Sequence, residues 1–181
     1  MANSLTELEN CTLGVIRQLQ PCSTYQVRQV FLRSTTPAWS GSAGAIYPVM
    51  ERLIALGLVR VEGLKGDRRG RRNLSLTAAG RRAFSAWAMT LEPGMGHATP
   101  DPIRTRATFF DLMDSPEEQS RFFARAEALT RDAIRTQQAL VESDRRAGRL
   151  GDYVSSLGGL HQLEGRLKWL RKVRALLKRR G

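Results

Sequence analysis

The chain has 181 residues, a formal net charge of +12 and 41% hydrophobic residues. That apolar content supports a folded core and excludes a mainly disordered chain. No apolar run is long enough to cross a bilayer, and the first twenty residues lack the charged-then-apolar pattern of a secretion signal. Two cysteines are too few for a disulfide framework. The sequence therefore predicts a cytoplasmic protein of one large or two small domains, with no membrane partner.

The positive charge is concentrated in two short segments. Residues 63–82 hold seven Lys or Arg and one acidic residue, and residues 165–181 hold eight basic residues and no acid. The stretch between them, residues 92–164, carries nine basic and twelve acidic side chains. Two basic patches on a nearly neutral body favour a polyanionic partner over charge spread for solubility.

The first forty residues predict two capped helices and a loop. Thr6 and Glu9 have the spacing of a capping box, and Pro21 ends the helix that they begin. Ser23 together with Gln26 can cap a second helix. Residues 34–41 then predict a loop.

A third helix is predicted from Ser42 to Leu56. Ser42 is a favourable N-cap residue, and the apolar residues after it recur at spacings of three and four. Gly57 follows the last periodic residue, as expected where a helix ends through a left-handed residue. Alternating apolar and polar residues at 58–61 and 73–76 predict two strands joined by a loop.

A closing helix completes the first domain. Thr77 is its predicted cap, and Gly80 allows close packing on a neighbouring element. Three helices, a two-stranded wing and this closing helix predict a winged helix-turn-helix domain over residues 1–91.

The loop between the two predicted strands has three glycines and five basic residues against one acid, Asp67. Arginine binds phosphate bidentately and is attracted into narrow minor grooves. A solvated, charged hairpin tip is the alternative, but the position directly after a capped helix favours nucleic-acid binding. The predicted DNA contacts in this wing are Lys65, Arg68, Arg69, Arg71 and Arg72.

The Pro- and Gly-rich segment 92–102 predicts a linker, and residues 103–181 predict a helical domain. Ser115 and Pro116 start a long helix that Gly148 ends, and a second long helix follows this short turn. The predicted buried side of the first long helix is a mostly apolar stripe: Phe122, Ala126, Leu129, Ala133, Gln137, Leu140 and Val141. Two such helices cannot bury both apolar stripes against each other, so we expect a second copy to cover the rest in a two-fold dimer. A bundle packing back onto the wing domain is the alternative. The predicted dimer seam has the alternating three- and four-residue steps of a coiled coil: Leu150, Val154, Leu157, Leu167, Leu170, Val173 and Leu177.

One short motif points to a family. Trp39, Gly44, Tyr47 and Pro48 are followed by the run Leu-Gly-Leu-Val at 56–59. This segment resembles the PadR family of bacterial transcriptional regulators, and the long helical arm is similar to that of the long-armed branch. The resemblance implies a mainly α fold, with an N-terminal winged helix-turn-helix domain and a C-terminal antiparallel helical or coiled-coil dimerisation domain. The chain departs from the family pattern at Ala45 and Thr24, and Ala45 removes a hydroxyl that could have contacted DNA.

The resemblance also implies a function, namely a homodimeric DNA-binding regulator, most often a repressor, on a dyad-symmetric operator of double-stranded DNA. Tyr47 can stack on a sugar or bind a phosphate, with a core tyrosine as the alternative, and Tyr25 is a similar case. Ser42 can bind a phosphate at a helix start, and Gly44 allows close backbone approach. These four residues are the predicted helix contacts.

The resemblance further implies a small aromatic effector that acts at the junction of the wing domain and the helical arm. Trp87, Phe109 and Phe110 are its candidate lining, with ordinary core aromatics as the alternative. The residues themselves predict no catalytic site, cofactor or metal: His97 and His161 lie far apart, and no nucleophile or phosphate-loop motif occurs. An enzyme is not expected.

Two alternatives concern the cysteines and the C-terminal tail. Cys11 lies on an apolar helix face and is expected to pack in the core. Cys22, beside Pro21, is expected to be more exposed, and a redox-sensing role for its thiol is a minor hypothesis. The basic tail Arg166–Arg180 is compatible with a different function, a dimeric scaffold docking an acidic protein or membrane surface.

Overall fold

The computed structural model describes residues 5–34, 37–63, 72–113 and 115–179, with only the backbone described for Pro37, Ala38 and Arg72. The chain divides into two compact units, Met1–His97 and Ala98–Gly181. The mainly helical fold, with a small two-stranded sheet and a long C-terminal helix pair, confirms the predicted fold class. The first unit contains α1 (Glu7–Leu19), α2 (Thr24–Leu32), α3 (Pro37–Ser42), α4 (Ile46–Ala55), β1 (Val59–Gly63), β2 (Arg72–Leu76) and α5 (Ala78–Met89). The second contains α6 (Pro102–Ala107), α7 (Pro116–Arg146) and α8 (Leu150–Leu177).

The predicted helix starts at α1, α2 and α5 are confirmed. At α1 the Glu9 amide donates to Thr6 Oγ1 at 3.3 Å while Glu9 Oε2 accepts from the Thr6 amide at 2.7 Å. The same reciprocal pair forms between Ser23 and Gln26 at the start of α2. Thr77 caps α5 by accepting from the Gly80 amide at 3.0 Å. Each cap satisfies amides that the first helical turn leaves without a partner.

The predicted loop is wrong over residues 37–41, as is the capped helix start at Ser42, whereas residues 35 and 36 of that loop lie outside the described residues. Residues from Pro37 are already helical, and Ser42 has the helical angles φ −83° and ψ −8° rather than an extended N-cap conformation. The Trp39 ring stacks on Phe31 of α2 with centroids 4.8 Å apart, and this contact packs α3 against α2. A 3-10 turn at Ala43–Ala45 separates α3 from α4. Pro48 therefore falls in the first turn of α4, where its missing N–H leaves no internal bond unmade.

The core of the first unit lies between the helices and one face of the sheet. Ile46, Met50 and Leu53 of α4 are buried, as their spacing predicted, but Leu56 is 46% exposed. The fully buried side chains that surround them include Leu13 and Ile16 of α1, Val27 and Phe31 of α2, and Leu74 and Leu76 of β2. This core fixes which face of α4 points outward.

The two strands form an antiparallel hairpin with Val59 opposite Leu76 and Gly63 opposite Arg72. Val59 is buried on one face, while the exposed side chains of Arg60 and Glu62 make an ion pair at 3.2 Å. This alternation is the strand pattern that the sequence predicted.

Cys22 is 1% exposed, so the expectation that it would be the more accessible thiol is wrong. Its backbone pairs with the outer edge of β2: Leu74 N donates to Cys22 O at 2.7 Å and Cys22 N donates to Leu74 O at 3.2 Å. Burial raises the pKa of the Cys22 thiol, which removes the basis of the thiol-sensor hypothesis. Cys11 is buried, as predicted.

The end of α4 is joined to both the wing and α5. Gly57 has φ +67°, and Leu58 N donates to Leu53 O at 3.0 Å, which completes a Schellman motif. The Leu58 carbonyl then accepts from Thr77 N at 3.0 Å. It lies so close to Gly80 that a Cβ there would be 2.1 Å from the Leu58 oxygen. Gly80 is thus required by a close approach of two backbones.

In the second unit, α7 and α8 pack antiparallel around Phe123, Ala126 and Leu170. Phe123 makes an edge contact with Trp169 across the pair, and Gln137 Nε2 donates to Ser156 O at 2.8 Å. Gly148, with φ +67°, ends α7 as predicted.

The buried face of α7 shares Ala126 with the predicted apolar stripe but otherwise lies mostly one residue further along the chain. Phe123 and Ile134 are buried, whereas Leu129 is 57% exposed. Polar residues occupy much of the buried face, namely Glu127, Thr130 and Asp144, and each has a partner. Apolar periodicity therefore selected the neighbouring face. Within the described ranges, no helix has the length and apolar character of a bilayer-spanning segment.

Candidate nucleic-acid interface

The outward face of the segment from α3 to α4 carries Gly44, Ala45 and Tyr47. All three are exposed, while Ala43 and Ile46 between them are buried in the core. The Tyr47 side chain is 51% exposed, so its ring and hydroxyl are accessible to a partner. The alternative of a core tyrosine is thereby excluded at this position.

Tyr25 lies in the first turn of α2 and is 59% exposed, so it is not a core tyrosine either. An exposed tyrosine combines a ring that can stack on a sugar with a hydroxyl that can bind a phosphate. Both tyrosines therefore present the chemistry that the sequence predicted for them.

Gly44 has open space around it, because no described atom lies within 4 Å of where a Cβ would stand. The fold itself therefore places no demand on a glycine at this position. A backbone without a side chain at the exposed rim of the helix instead leaves room for a second molecule to approach.

Ser42 is half-buried within continuous helical backbone. Since it is not the first residue of a helix, the argument that it offers a phosphate site at a helix start loses its basis. Its predicted contact with DNA stays untested.

The strands β1 and β2 close the hairpin at the pair Gly63 and Arg72. The predicted wing contacts Lys65, Arg68, Arg69 and Arg71 lie outside the described residues, as does the side chain of Arg72. Their role stays a prediction from the sequence.

The sequence did not indicate an ion pair that holds α4 in place. Glu9 on α1 is buried, and its Oε1 lies 2.6 Å from Nε of Arg52 on α4. Its other oxygen serves the cap of α1 by accepting from Thr6. One carboxylate thus fixes the start of α1 and the helix that carries Tyr47. Charge spacing along one helix is visible in a sequence, whereas a pair between distant helices is not.

We expect Glu9→Gln to lower the free energy of unfolding by about 1 kcal/mol. The amide can still accept from Thr6 in the capping box, but it loses the charge opposite Arg52, whose side chain is 43% exposed and therefore partly screened. Urea denaturation of the full chain measures the change. The matched control is Glu62→Gln, which removes the exposed pair with Arg60 and should change stability by less than about 0.5 kcal/mol. Equal effects would mean that burial of Glu9 adds nothing to its pairing.

Two of the three predicted effector residues have packing roles inside their own units. Trp87 packs on Phe84 with centroids 5.9 Å apart, and its Nε1 donates to Glu7 at 3.1 Å. Phe110 makes an edge contact with Phe123 at 6.2 Å. Phe109 is 59% exposed. The core-aromatic alternative thus describes Trp87 and Phe110, and a ligand contact by any of the three stays untested.

The residues of the predicted dimer seam differ in how far they are buried within the chain. Leu170 is fully buried against Phe123, and Val173 and Leu177, which are partly buried, pack on the same cluster within one chain. A contact of these three residues with a second copy stays a prediction. Leu157 and Leu167 are half-buried, whereas the start of α8 leaves Leu150 73% and Val154 59% exposed.

The first unit is a winged-helix domain of the kind that binds DNA, with a two-stranded wing directly after an outward-facing helix. Residues 12–86 match the transcriptional regulator PadR-like family. This match lies within the wing domain and confirms the resemblance to the PadR family in the Trp-Gly-Tyr-Pro motif. The family consists of regulators rather than enzymes.

Solved structures with the same fold span nearly the whole chain. Bacillus subtilis PadR in complex with operator DNA matches with a TM-score of 0.81 at 20% identity, covering 95% of this chain and 99% of that one. The same protein in complex with p-coumaric acid gives 0.76 at 19% identity, covering 94% and 95%. The Vibrio cholerae virulence activator AphA gives 0.73 at 17% identity, covering 97% and 100%. Comparison with curated proteins finds no match to this chain.

Proposed function

We propose that this chain is a sequence-specific, DNA-binding transcriptional regulator of the bacterial cytoplasm, acting as a homodimeric repressor on a dyad-symmetric operator. The observation that carries the proposal is the exposed face of Gly44 and Tyr47 on a helix whose opposite face is buried in the core. In a winged helix-turn-helix, this is the face that enters the major groove. The half-sites are then about one helical turn apart, or a multiple of one.

Two further features support DNA as the partner. The eight residues 64–71, which join β1 to β2, include Lys65, Arg68, Arg69 and Arg71. Basic residues beside an exposed helix are the expected footprint of a nucleic-acid-binding domain. Bacillus subtilis PadR, which shares the fold, has been solved with operator DNA. By this proposal, Tyr25, Tyr47 and Ser42 contact the backbone or bases, and the wing contacts the adjacent minor groove or backbone.

The homodimer is supported by apolar surface that the chain leaves uncovered. Leu150 and Val154 are exposed one turn apart on α8, and Leu129 is exposed on α7. Neighbouring exposed leucine and valine on a helical arm are the usual content of a two-fold contact. The proposed seam is therefore Leu150 and Val154, flanked by the half-buried Leu157.

Release by a small aromatic effector is part of the proposal. Bacillus subtilis PadR has been solved with p-coumaric acid, and this chain has the exposed ring of Phe109 beside the half-buried Phe110. Titration of the protein–operator complex with a panel of aromatic acids tests this part. An operator affinity that stays flat across the panel would remove it.

The scaffold alternative is weakened by the position of the basic tail. Residues 166–177 belong to α8, where Leu170 is fully buried, Arg166 pairs with Asp101 at 2.7 Å and Arg174 pairs with Glu127. One side of the tail is thus held within its own helix pair, and docking would be limited to the exposed side, which carries Lys168, Arg171, Lys172, Lys178 and Arg179.

The operator is found by selection from random duplex DNA, and Gly44→Ala then tests the interface. The added methyl meets no atom of the residues that the structure describes, so stability should change by less than about 0.5 kcal/mol. Operator affinity should nevertheless fall by at least about tenfold, because the methyl occupies the surface that faces the groove. Fluorescence anisotropy with labelled operator measures the affinity.

Gly165→Ala is the control, because Gly165 on α8 also has open space around it but lies in the helical arm. It should leave operator affinity unchanged. If Gly44→Ala binds the operator as tightly as the wild-type chain, this face is not the DNA-binding surface. Absence of salt-sensitive binding to any duplex would overturn the proposed function as a whole.

A further inference from the structure

A buried carboxylate on α7 is surrounded by an excess of positive charge. Glu127 is 4% exposed. Its Oε1 lies 2.5 Å from Arg131 Nη2, one turn further along α7, and 3.6 Å from Arg171 Nε on α8. Its Oε2 accepts from Arg174, also on α8. Three guanidinium groups from two helices therefore converge on one acid.

These side chains line an open cleft of about 270 Å³, together with Ala175 and Lys178. The cleft thus holds four cationic groups and a single carboxylate. Among the described residues, the three arginines have Glu127 as their only carboxylate partner, and Lys178 has none. The carboxylate of Glu127 can neutralise only one of these four cationic groups.

The unbalanced cations retain most of their hydrogen-bonding capacity. Each guanidinium has five N–H donors, whereas the two oxygens of Glu127 can satisfy few of the fifteen that converge there. Like charges held this close repel each other, and an anion entering the cleft relieves that repulsion. The planar fork of arginine matches an oxyanion of the phosphate or carboxylate type.

Glu127 keeps this arrangement charged at all physiological pH values. Hydrogen bonds from Arg174, and secondly from Arg131, lower the pKa of its carboxyl to about 2. The carboxylate therefore remains an anionic centre that orients the guanidinium groups instead of neutralising the site by taking up a proton.

A second cavity adjoins the first. It measures about 440 Å³ and shares Arg171 with the cationic cleft, while Ile134 and Leu167 give it an apolar floor beside Glu164 and Lys168. Pockets that combine an apolar floor with a few convergent charged groups are typical of small-molecule sites. The shared Arg171 allows one molecule to contact both cavities.

We propose that the groove between α7 and α8 binds a small phosphorylated molecule. Its anionic head would lie among Arg131, Arg171, Arg174 and Lys178, and its compact apolar or aromatic body would lie on Ile134 and Leu167. Duplex DNA fits less well, since a nucleic-acid backbone follows a line of separated charges and here the cations converge on a single carboxylate. The site lies in the second unit and is a separate input from the proposed aromatic effector.

The test uses the full-length chain and three probes: inorganic pyrophosphate and inorganic phosphate for the head, and phenyl phosphate for head and body. Isothermal titration calorimetry in chloride buffer should give one site per protomer for pyrophosphate. Phenyl phosphate should bind at least about threefold more tightly than inorganic phosphate, because its ring reaches the apolar floor. Equal affinities would overturn the second cavity as part of the site.

The test variant is Arg171→Gln with Lys178→Gln, which keeps the two closest partners of Glu127 and so preserves the helix pair. Pyrophosphate affinity should fall at least about tenfold. The control is Arg135→Gln with Lys172→Gln, which removes two exposed cations from the same helices outside the cleft.

Three outcomes overturn the proposal. An equal loss in the control would show attraction to diffuse charge rather than a site. Absence of any pyrophosphate binding up to millimolar concentration would show that no site exists. If the test variant alters the sedimentation coefficient and leaves pyrophosphate binding unchanged, the groove is covered by acidic side chains of a second copy instead.

Discussion

Replacing Gly80 by alanine is expected to lower the free energy of unfolding of the wing domain by about 3 kcal/mol, the upper part of the range for overpacked sites. The new Cβ would stand 2.1 Å from the Leu58 carbonyl oxygen. A flexible side chain could rotate away from such a contact, but this neighbour is backbone. The same oxygen accepts the Thr77 amide and the Thr77 hydroxyl, so moving it also weakens the start of α5.

Urea denaturation and calorimetry measure this loss, with Gly165→Ala as the matched control. Gly165 lies inside α8, and no side chain or neighbouring element among the described residues comes within 4 Å of where its Cβ would stand. The same chemical change there should stabilise the chain by about 0.5 to 1 kcal/mol, because alanine has the higher helix propensity. A Gly80→Ala protein as stable as the wild type would show that β1 and α5 can separate at no cost.

The second large effect concerns DNA affinity. Replacing Arg68, Arg69, Arg71 and Arg72 together by alanine is expected to weaken operator binding at least about 100-fold at physiological salt, because several phosphate contacts per protomer are lost. The dependence of log affinity on log salt should also flatten, by about 0.9 for each contact removed. Anisotropy titrations between 50 and 300 mM salt measure both quantities, and nonspecific duplexes should lose affinity in parallel.

Two controls distinguish the loss of specific wing contacts with DNA from the loss of net positive charge. Neutralising Arg121, Arg125, Arg135 and Arg146, which are exposed on α7, removes the same charge from the arm and should alter affinity far less. Lysine at the four wing positions keeps the charge but loses the guanidinium fork, and should recover part of the affinity. A salt slope identical to that of the wild-type chain would exclude the wing from the interface.

The features that the sequence predicted correctly are those set within a few residues. Helix caps depend on neighbours three or four positions away, so nearby residues determine their geometry. The examples are Thr6 with Glu9, Ser23 with Gln26, and Gly57 after its helix. The wing strands followed from alternation, and Gly80 from the need for close packing.

The features that the sequence missed depend on distant partners. Helix α3 owes its place to the stacking of Trp39 on Phe31, and Cys22 is buried because β2 pairs with its backbone. The buried face of α7 was mistaken because a polar residue such as Glu127 is normally exposed, unless cations from another helix compensate it.

In the candidate interface, too, the features set by nearby residues were predicted and those set by distant partners were missed. The exposure of Gly44 and Tyr47 agrees with the family motif, because the periodicity of α4 already assigned the opposite face to the core. Ser42 lost its predicted role as a cap when helical backbone was found before it. The link from Glu9 to Arg52 joins separate helices and has no signature in the sequence.

The two buried thiols give this domain a built-in reporter of its own opening. Burial raises the pKa of Cys11 to about 11 and also raises that of Cys22, so neither is a reactive thiolate while the fold is closed. Alkylating reagents therefore modify only molecules that have transiently opened at α1 or at the outer edge of β2. The rate of labelling at each sulfur measures how often that part of the domain opens, with no probe added to the chain.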